Sequence, residues 1–327
     1  MKKKKIILLV LCFFSVVICT ILFEIFFGRG IPYVSKQKLW SIGIYKGDTP
    51  FNLYEHEGNP VLTASDVIDV PAVFIADPFM IEKDNIWFMF FEVWNAKTQQ
   101  GDIGYAVSKD LALWKYQKII LDEDFHLSYP YIFEWEDDVF MVPESSDINE
   151  VRLYKATDFP TKWSFEKILI NKKLIDSSLF HYSDLWWLYS NSKQDGIDKL
   201  HLYYAKDLNN TWIEHPKSPI KTIEPKLARP GGRVLVIGEK ILRYNQYNYY
   251  FYGDRILAFK ISDLTMTTYK EHEIMGNPII KPSGEGWNKD GMHHIDLHKL
   301  NEKVWIACVD GYKKSWILSP LLKELIK

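Results

Sequence analysis

One hairpin pattern recurs five times along the chain and governs what it can fold into. The copies read ADPFMIEKDNIWFMFFE (76–92), SYPYIFEWEDDVFMVPE (128–144), IDSSLFHYSDLWWLYSN (175–191), ARPGGRVLVIGEKILRYN (228–245) and HHIDLHKLNEKVWIACVD (293–310). Each opens near a polar residue: Asp77, Tyr129, Asp176, Arg229 and His294. An apolar strand, a tight polar turn and an aromatic-rich return strand follow. Each closes on a second polar residue: Glu92, Glu144, Asn191, Asn245 and Asp310. Opener and closer lie 15, 15, 15, 16 and 16 residues apart, and successive openers 52, 47, 53 and 65 apart. An antiparallel hairpin brings its ends back together, so each pair is expected at one rim. The long period is that of propeller blades.

A second repeat supports the first. SKDLALW (108–114), ATDFPTKW (156–163), AKDLNNTW (205–212) and a weaker ISDLTMTTY (261–269) follow the first four hairpins. They read as links from a third strand to a fourth. Asp110, Asp158, Asp207 and Asp263 suit such turns by accepting from nearby backbone N–H groups. Trp114, Trp163 and Trp212 are placed to pack on the outer strand. The last copy lacks its outer strands, while SIGIYKGDTPFNLYEHEGNPVL (41–62) matches the missing pair. The expected fold is therefore an all-β, five-bladed β-propeller over 40–312, its last blade closed by N-terminal strands, which removes open sheet edges. Residues 313–327 form a tail whose Ser319-Pro320 start predicts a short capped helix.

The N-terminus is read separately. Lys2 to Lys5 precede 22 mostly apolar residues, 6–27, long enough to span a bilayer. The lysines would stay cytoplasmic. This predicts a cytoplasmic segment 1–5, a single-pass signal-anchor over 6–27, a linker over 28–39 and an extracytoplasmic propeller. Cys12 and Cys19 fall in the apolar run; Cys308 is alone in the propeller and reads as a buried small hydrophobe. With a net charge of −2 and scattered lysines, the chain carries no basic stripe for nucleic acid. His293, His294 and His298 are too alternately placed on a strand to make a metal site, so neither metal nor cofactor is expected.

The shared rim collects the chemistry. Carboxyls interleaved with aromatics, an arginine, amides and histidines suit a carbohydrate ligand, and two carboxyls flanking a glycosidic bond can act as acid and base or nucleophile. Buried carboxylates are costly unless paired, so their clustering points to a site. The catalytic candidates are Asp77, Glu144, Asp176 and Glu92. The candidates for holding substrate are His126, Tyr129, Asn191, Arg229, Arg233, His293, His294 and Asp310. The structural alternative for Asp77 is that it simply ends a loop before Pro78, since the residue before a proline favours extended geometry; its slot favours the functional reading.

The motifs also carry a resemblance. ADPF (76–79), the repeated blade openers and the S-x-D-L-x-x-W link resemble the five-bladed propellers of family 43 and family 32 glycoside hydrolases. QGDIGYA (100–106), HLSYPYIF (126–133), PESS (143–146), EVRLYKATDFP (150–160), GGR (231–233), HHIDL (293–297) and VDG (309–311) resemble more closely the N-terminal propeller region of glucosamine inositolphosphorylceramide transferases and their bacterial relatives. The hydrolases imply an Asp base or nucleophile on blade one, matched by Asp77. They imply an Asp on blade two, where Tyr129 stands, and a Glu acid on blade three, where Asp176 stands. With that triad broken, Glu144, Glu92 or Asp310 would supply the acid, or the site binds glycans without cleaving them. The resemblance thus implies a glycosidase-like domain on a cell-surface glycan. Its rivals are a glycan-binding module beside polysaccharide assembly proteins and a scaffold that docks a protein.

Overall fold

The computed structural model describes residues 2–26, 34–220 and 227–318. Two compact units divide the chain: Leu39–Lys313, and a second made of Met1–Lys38 with Lys314–Lys327. The larger unit is a five-bladed propeller of antiparallel sheets. Blade one holds Ala72–Lys83, Ile86–Asn95, Gln100–Ser108 and Lys115–Leu121. Blade two holds Ser128–Trp135, Asp138–Glu144, Val151–Asp158 and Lys162–Ile170. Blade three holds Ile175–Tyr182, Leu185–Gln194, Ile197–Ala205 and Ile213–Glu214. In blade four the inner strand is split into Arg229–Pro230 and Leu235–Ile237, followed by Lys240–Tyr247, Arg255–Leu264 and Tyr269–Glu273. Blade five pairs Ile295–Asn301 with Val304–Leu318, and the N-terminal strands Val34–Thr49 and Asn52–Glu55 complete it. The N-terminal closure read from the sequence is therefore present.

The aromatic-rich return strands explain what holds the blades together. Phe79, Phe90, Tyr131, Phe133 and Trp186 belong to one buried cluster running across blades one, two and three. Other clusters join blade three to four, four to five and five to one, the last around Ile44, Phe91, Ile306 and Cys308. Cys308 is buried as expected, its Sγ donating to the Pro78 carbonyl at 3.0 Å. The link aspartates act in two places as read: Asp110 Oδ1 accepts from the N–H groups of Ala112 and Leu113, and Asp207 Oδ1 from that of Asn209.

The inner strands share an irregularity that aims the openers. Register shifts fall between Ala76 and Phe79, Ser128 and Tyr131, and Ile175 and Ser178. Within these bulges Asp77, Tyr129 and Asp176 have φ of 52°, 45° and 53°. Asp77 is thus not in the extended geometry usual before a proline: an inserted residue turns the chain out of the pleat and re-aims its side chain. Asp77 and Tyr129 adopt this conformation even though each precedes a proline, against the usual preference. Left-handed non-glycine residues cost about 1–3 kcal/mol each and gather at functional sites. In blade four the same task falls to Gly232 (φ 139°), where a Cβ would lie 1.7 Å from the Ile295 carbonyl oxygen.

The smaller unit contains helix α1, Lys2–Phe26. A helix thus stands where a membrane span was expected, but among the described residues no helix is long and apolar enough to cross a membrane. The linker expected over 28–39 is shorter than read, because strand structure begins at Val34. Its first part, 28–33, and the tail helix expected near 319–327 lie outside the described residues.

Candidate functional site

Five carboxyl groups from four blades converge at the opener end of the propeller. Asp77, Glu92, Glu144, Asp176 and Asp310 are all buried, none more than 9% exposed. The hairpin register brings them there: Ala76 faces Glu92, Ser128 faces Glu144, and Ile175 faces Asn191. In blade five Ile295 faces Val309, which sets Asp310 beside His294.

Each carboxyl has a different environment. Asp176 takes Arg229 through Nε at 2.5 Å and Nη2 at 3.3 Å, and Gln246 Nε2 at 2.8 Å. Arg229 Nη2 also lies 4.0 Å from Glu144 Oε2. Glu144 accepts from Ser146 Oγ at 2.7 Å and Ser128 Oγ at 3.4 Å. Asp310 accepts from the Asp77 backbone N–H at 3.0 Å and bonds His293 Nδ1 at 2.8 Å. Asp77 Oδ1 faces His293 Nδ1 at 3.9 Å and His294 Nδ1 at 3.8 Å. Both adjacent histidines reach Asp77, where alternation had set them on opposite faces, because regular strand structure begins only at Ile295. Their companion His298 turns away to Asp296, at 2.8 Å.

Aromatic side chains frame the group. Trp40 stacks on His293 at 4.0 Å, and Tyr252 meets the same imidazole edge-on at 5.0 Å. Tyr252 also underlies the Arg229 guanidinium at 5.1 Å. Across the site Trp94 stacks on Phe74 and lies 5.6 Å from His126. His294 packs edge-on against Phe79 and Tyr129 at 4.5 and 5.3 Å. The Tyr129 hydroxyl bonds Ser178 Oγ at 2.8 Å, and Ser178 donates onward to the Gly232 carbonyl. At the site, several fully buried side chains have unmatched polar atoms among the described residues, including both nitrogens of His294, the whole amide of Asn191 and Gln246 Oε1. Buried polar atoms are rarely left so.

Not every sequence candidate belongs here. Arg233 lies toward the hairpin-turn ends of the blades, bonded to Asp296 Oδ1 at 2.5 Å and to the Ile132 carbonyl at 2.9 Å. It borders a separate cavity of about 380 Å³ with Met80, Trp87, Ile132 and His298. Asn245 is also misplaced as the fourth closer. Arg229 pairs with Gln246 in the register, so Gln246 faces Asp176 while Asn245 accepts from Arg243 at 3.0 Å. Trp40, Tyr252, Ser146 and Ser178 went unread, since none occupies an opener or closer slot.

Burial raises the Asp77 carboxyl to about 7; His293 and Arg229 oppose the rise, and Asp176 and Asp310 add to it. Burial raises Glu144 to about 8, with Asp176 adding and Arg229 and Ser146 opposing. Burial and the four other carboxyls push Glu92 well up. Burial also disfavours ionised Asp310, but His293, His294 and the Asp77 backbone N–H together outweigh it and hold Asp310 below the usual carboxylate range. Burial lowers His294 to about 4. A carboxyl with a raised folded pKa binds more protons in the native state. Its stabilisation is complete below the unfolded value, about 4, and is lost as pH rises through the folded value. Tm is therefore expected to fall from about pH 5 to about pH 8, the window set by the Asp77 and Glu144 shifts. Glu144→Gln should flatten the upper part of that fall, and a Tm that climbs across the window would contradict the assignment.

Asp77, His293 and Asp310 each offer a ligand atom, all within 4.8 Å of one another, and are the described residues best placed to share a metal ion.

The family described as "Glucosamine inositolphosphorylceramide transferase 1, N-terminal" matches residues 34–312. The glucosamine inositolphosphorylceramide transferase 1 of Oryza sativa subsp. japonica is 39% identical over 295 residues, covering 83% of this chain and 40% of its own length. That of Arabidopsis thaliana is 34% identical over 297 residues, covering 83% and 39%. The chain thus spans about two fifths of the length of these relatives. Among solved structures, a putative glycoside hydrolase from Parabacteroides distasonis superposes with a TM-score of 0.58 at 10% identity, covering 80% of this chain and 98% of that one. A Cellvibrio cellulosa α-L-arabinanase complexed with arabinohexaose gives 0.53 at 12% identity, covering 73% and 94%. At these identities the likeness shows the propeller fold.

Proposed function

The chain belongs to the family of the glucosamine inositolphosphorylceramide transferase 1 N-terminal region, and from that premise we propose that its propeller acts on a glycan as a glycosidase-like domain. The observation that carries this reading is the convergence of five buried carboxyls with Arg229, framed by Trp40, Trp94 and Tyr252. Carboxyls whose environments push their proton affinities apart are the basis of acid–base division of labour. Glu144 keeps its proton at neutral pH and serves as the general acid to the leaving oxygen. Asp77, set between two histidines and carried on a strained bulge, serves as base or nucleophile. Arg229, Tyr129 and His294 orient the sugar.

One observation favours a second reading, a glycan-binding module that assists polysaccharide assembly proteins without cleaving. Blade two presents Tyr129 in its opener slot, and that hydroxyl is already engaged with Ser178. Turnover separates the two. The full-length chain is incubated with a panel of furanosides, pyranosides and glucosaminides, and the enzyme reading expects reducing ends to be released by wild type and not by Asp77→Asn/Glu144→Gln. Binding by both with product from neither leaves the binding module.

The reading includes an extracytoplasmic location, with the apolar segment 6–27 as the membrane anchor. Its support is the sequence, where Lys2 to Lys5 precede the apolar run 6–27. Full-length chain should stay in the membrane pellet after alkaline carbonate washing; its release into the supernatant would remove the anchor.

A further inference from the structure

Away from the carboxyl cluster, blade three carries a second chain of polar groups. Ser192 Oγ lies 2.8 Å from His201 Nε2, and His201 Nδ1 lies 2.7 Å from Glu214 Oε1. Hydroxyl, imidazole and carboxylate come from three successive strands, Leu185–Gln194, Ile197–Ala205 and Ile213–Glu214. The register explains the meeting. Ser190 faces His201 and Ser192 faces Lys199, so Ser192 is the diagonal neighbour of His201 on one face of the sheet. Tyr203 faces Glu214 and stands two residues beyond His201, so the carboxylate falls on that same face. Ser192 directly follows the closer Asn191, which sets the array at the opener end of the blade.

The bonding order decides which nitrogen carries the proton. Lys172 Nζ bonds the other carboxylate oxygen, Glu214 Oε2, at 2.6 Å. Burial disfavours the ionised carboxylate, but Lys172 and His201 outweigh it and hold Glu214 below the usual carboxylate range. An ionised carboxylate can only accept. A neutral His201 therefore carries its proton on Nδ1, and Nε2 keeps the lone pair that accepts from the Ser192 hydroxyl. Ser218 Oγ, 3.4 Å from Nδ1, is at the limit of hydrogen-bond length and does not displace Glu214. This is the tautomer in which an imidazole takes a serine's proton. Burial does not force the array on the fold. Ser192 is partly exposed, and the His201 and Glu214 side chains are 13% and 32% exposed, so water can serve each group.

We propose that Ser192, His201 and Glu214 form a second catalytic site, which hydrolyses carboxylic esters by acyl transfer. Ser192 is the nucleophile, His201 the general base and Glu214 a positioning residue. Ser192 Oγ bonds to the ester carbonyl carbon, and its proton passes to His201 Nε2. The bond from that carbon to the alkoxide oxygen breaks, and the leaving oxygen takes the proton from Nε2 and departs as the alcohol. Water then attacks the acyl-Ser192 carbonyl and gives a proton to Nε2. The acid is released, and Nε2 returns the proton to Ser192 Oγ. A partly exposed nucleophile suits an O-acyl group carried on a larger molecule. The proposal does not rest on the glycosidase reading.

Full-length chain in detergent is treated with an alkyl fluorophosphonate, and the modified residue is mapped by mass spectrometry. Hydrolysis of p-nitrophenyl acetate is followed in parallel. The label is expected on Ser192. Ser192→Ala should abolish it and lower kcat for the ester by about 10³-fold or more, and His201→Gln should do the same. Glu214→Gln should lower kcat with KM little changed, because it upsets the tautomer and not the binding of the ester. The mapping on wild type decides the matter even where a variant melts early. Fluorophosphonate that leaves Ser192 unmodified, or p-nitrophenyl acetate turnover that is absent or survives Ser192→Ala, overturns the proposal and reduces the three groups to cross-strand pairing. Either result leaves the reading of the carboxyl cluster standing.

Discussion

Arg233→Ala is expected to destabilise the propeller by about 3–5 kcal/mol, enough to abolish most of a typical domain's margin. One guanidinium there ties together four blades. Carried on blade four, it bonds Asp296 of blade five, the Met80 carbonyl of blade one at 3.3 Å and the Ile132 carbonyl of blade two at 2.9 Å. It is also stacked at 5.0 Å over Tyr131. Asp296 in turn accepts from the Met80 N–H at 2.6 Å. Burial disfavours the Asp296 carboxylate, yet Arg233 and His298 together hold its pKa far below the usual range. Removing Arg233 strands a fully buried anion, and that loss exceeds the net worth of the pair. The paired change Arg233→Met/Asp296→Leu should therefore cost less than Arg233→Ala alone. Denaturant unfolding of the three proteins measures both statements. A single-variant loss below about 1 kcal/mol would show that the hub is solvated after all.

The second large effect concerns chemistry. On the proposed glycosidase reading, Asp77→Asn and Glu144→Gln are each expected to lower kcat by about 10²–10⁴-fold, the usual contribution of a positioned acid or base. The double variant should be little worse than the weaker single variant, because groups acting as a unit are not additive. Glycan affinity should change far less than kcat. Glutamine at 144 can still accept from Ser146, so the fold should survive the change. A fall in affinity with unchanged kcat would recast both residues as binding groups.

Much of this site was legible because the hairpin period places openers and closers by arithmetic. Asp77, Glu92, Glu144, Asp176, His294 and Asp310 meet as that arithmetic requires. Where it failed, the cause is local. The fourth inner strand is only Arg229–Pro230 before the chain swings away at Gly231 and Gly232, so its partner is Gln246 and not Asn245. The bulges at Asp77, Tyr129 and Asp176 leave no mark in composition, and proline after two of them argues the other way. Trp40 and Tyr252 come from the closing strand and from a loop, and only the closed propeller brings them to His293. Arg233 sits two residues beyond Gly231, and no sequence pattern tells which end of the blade its side chain faces.

The central claim is that ligand binds at the opener end of the propeller. Hydrogen–deuterium exchange of the full-length chain, with and without a glycan it binds, tests this most directly. Protection is expected at 76–77, 92–94, 126–129, 144–146 and 293–294. Protection confined to 80–82, 132–134 and 298–300, around the cavity beside Arg233, would contradict it.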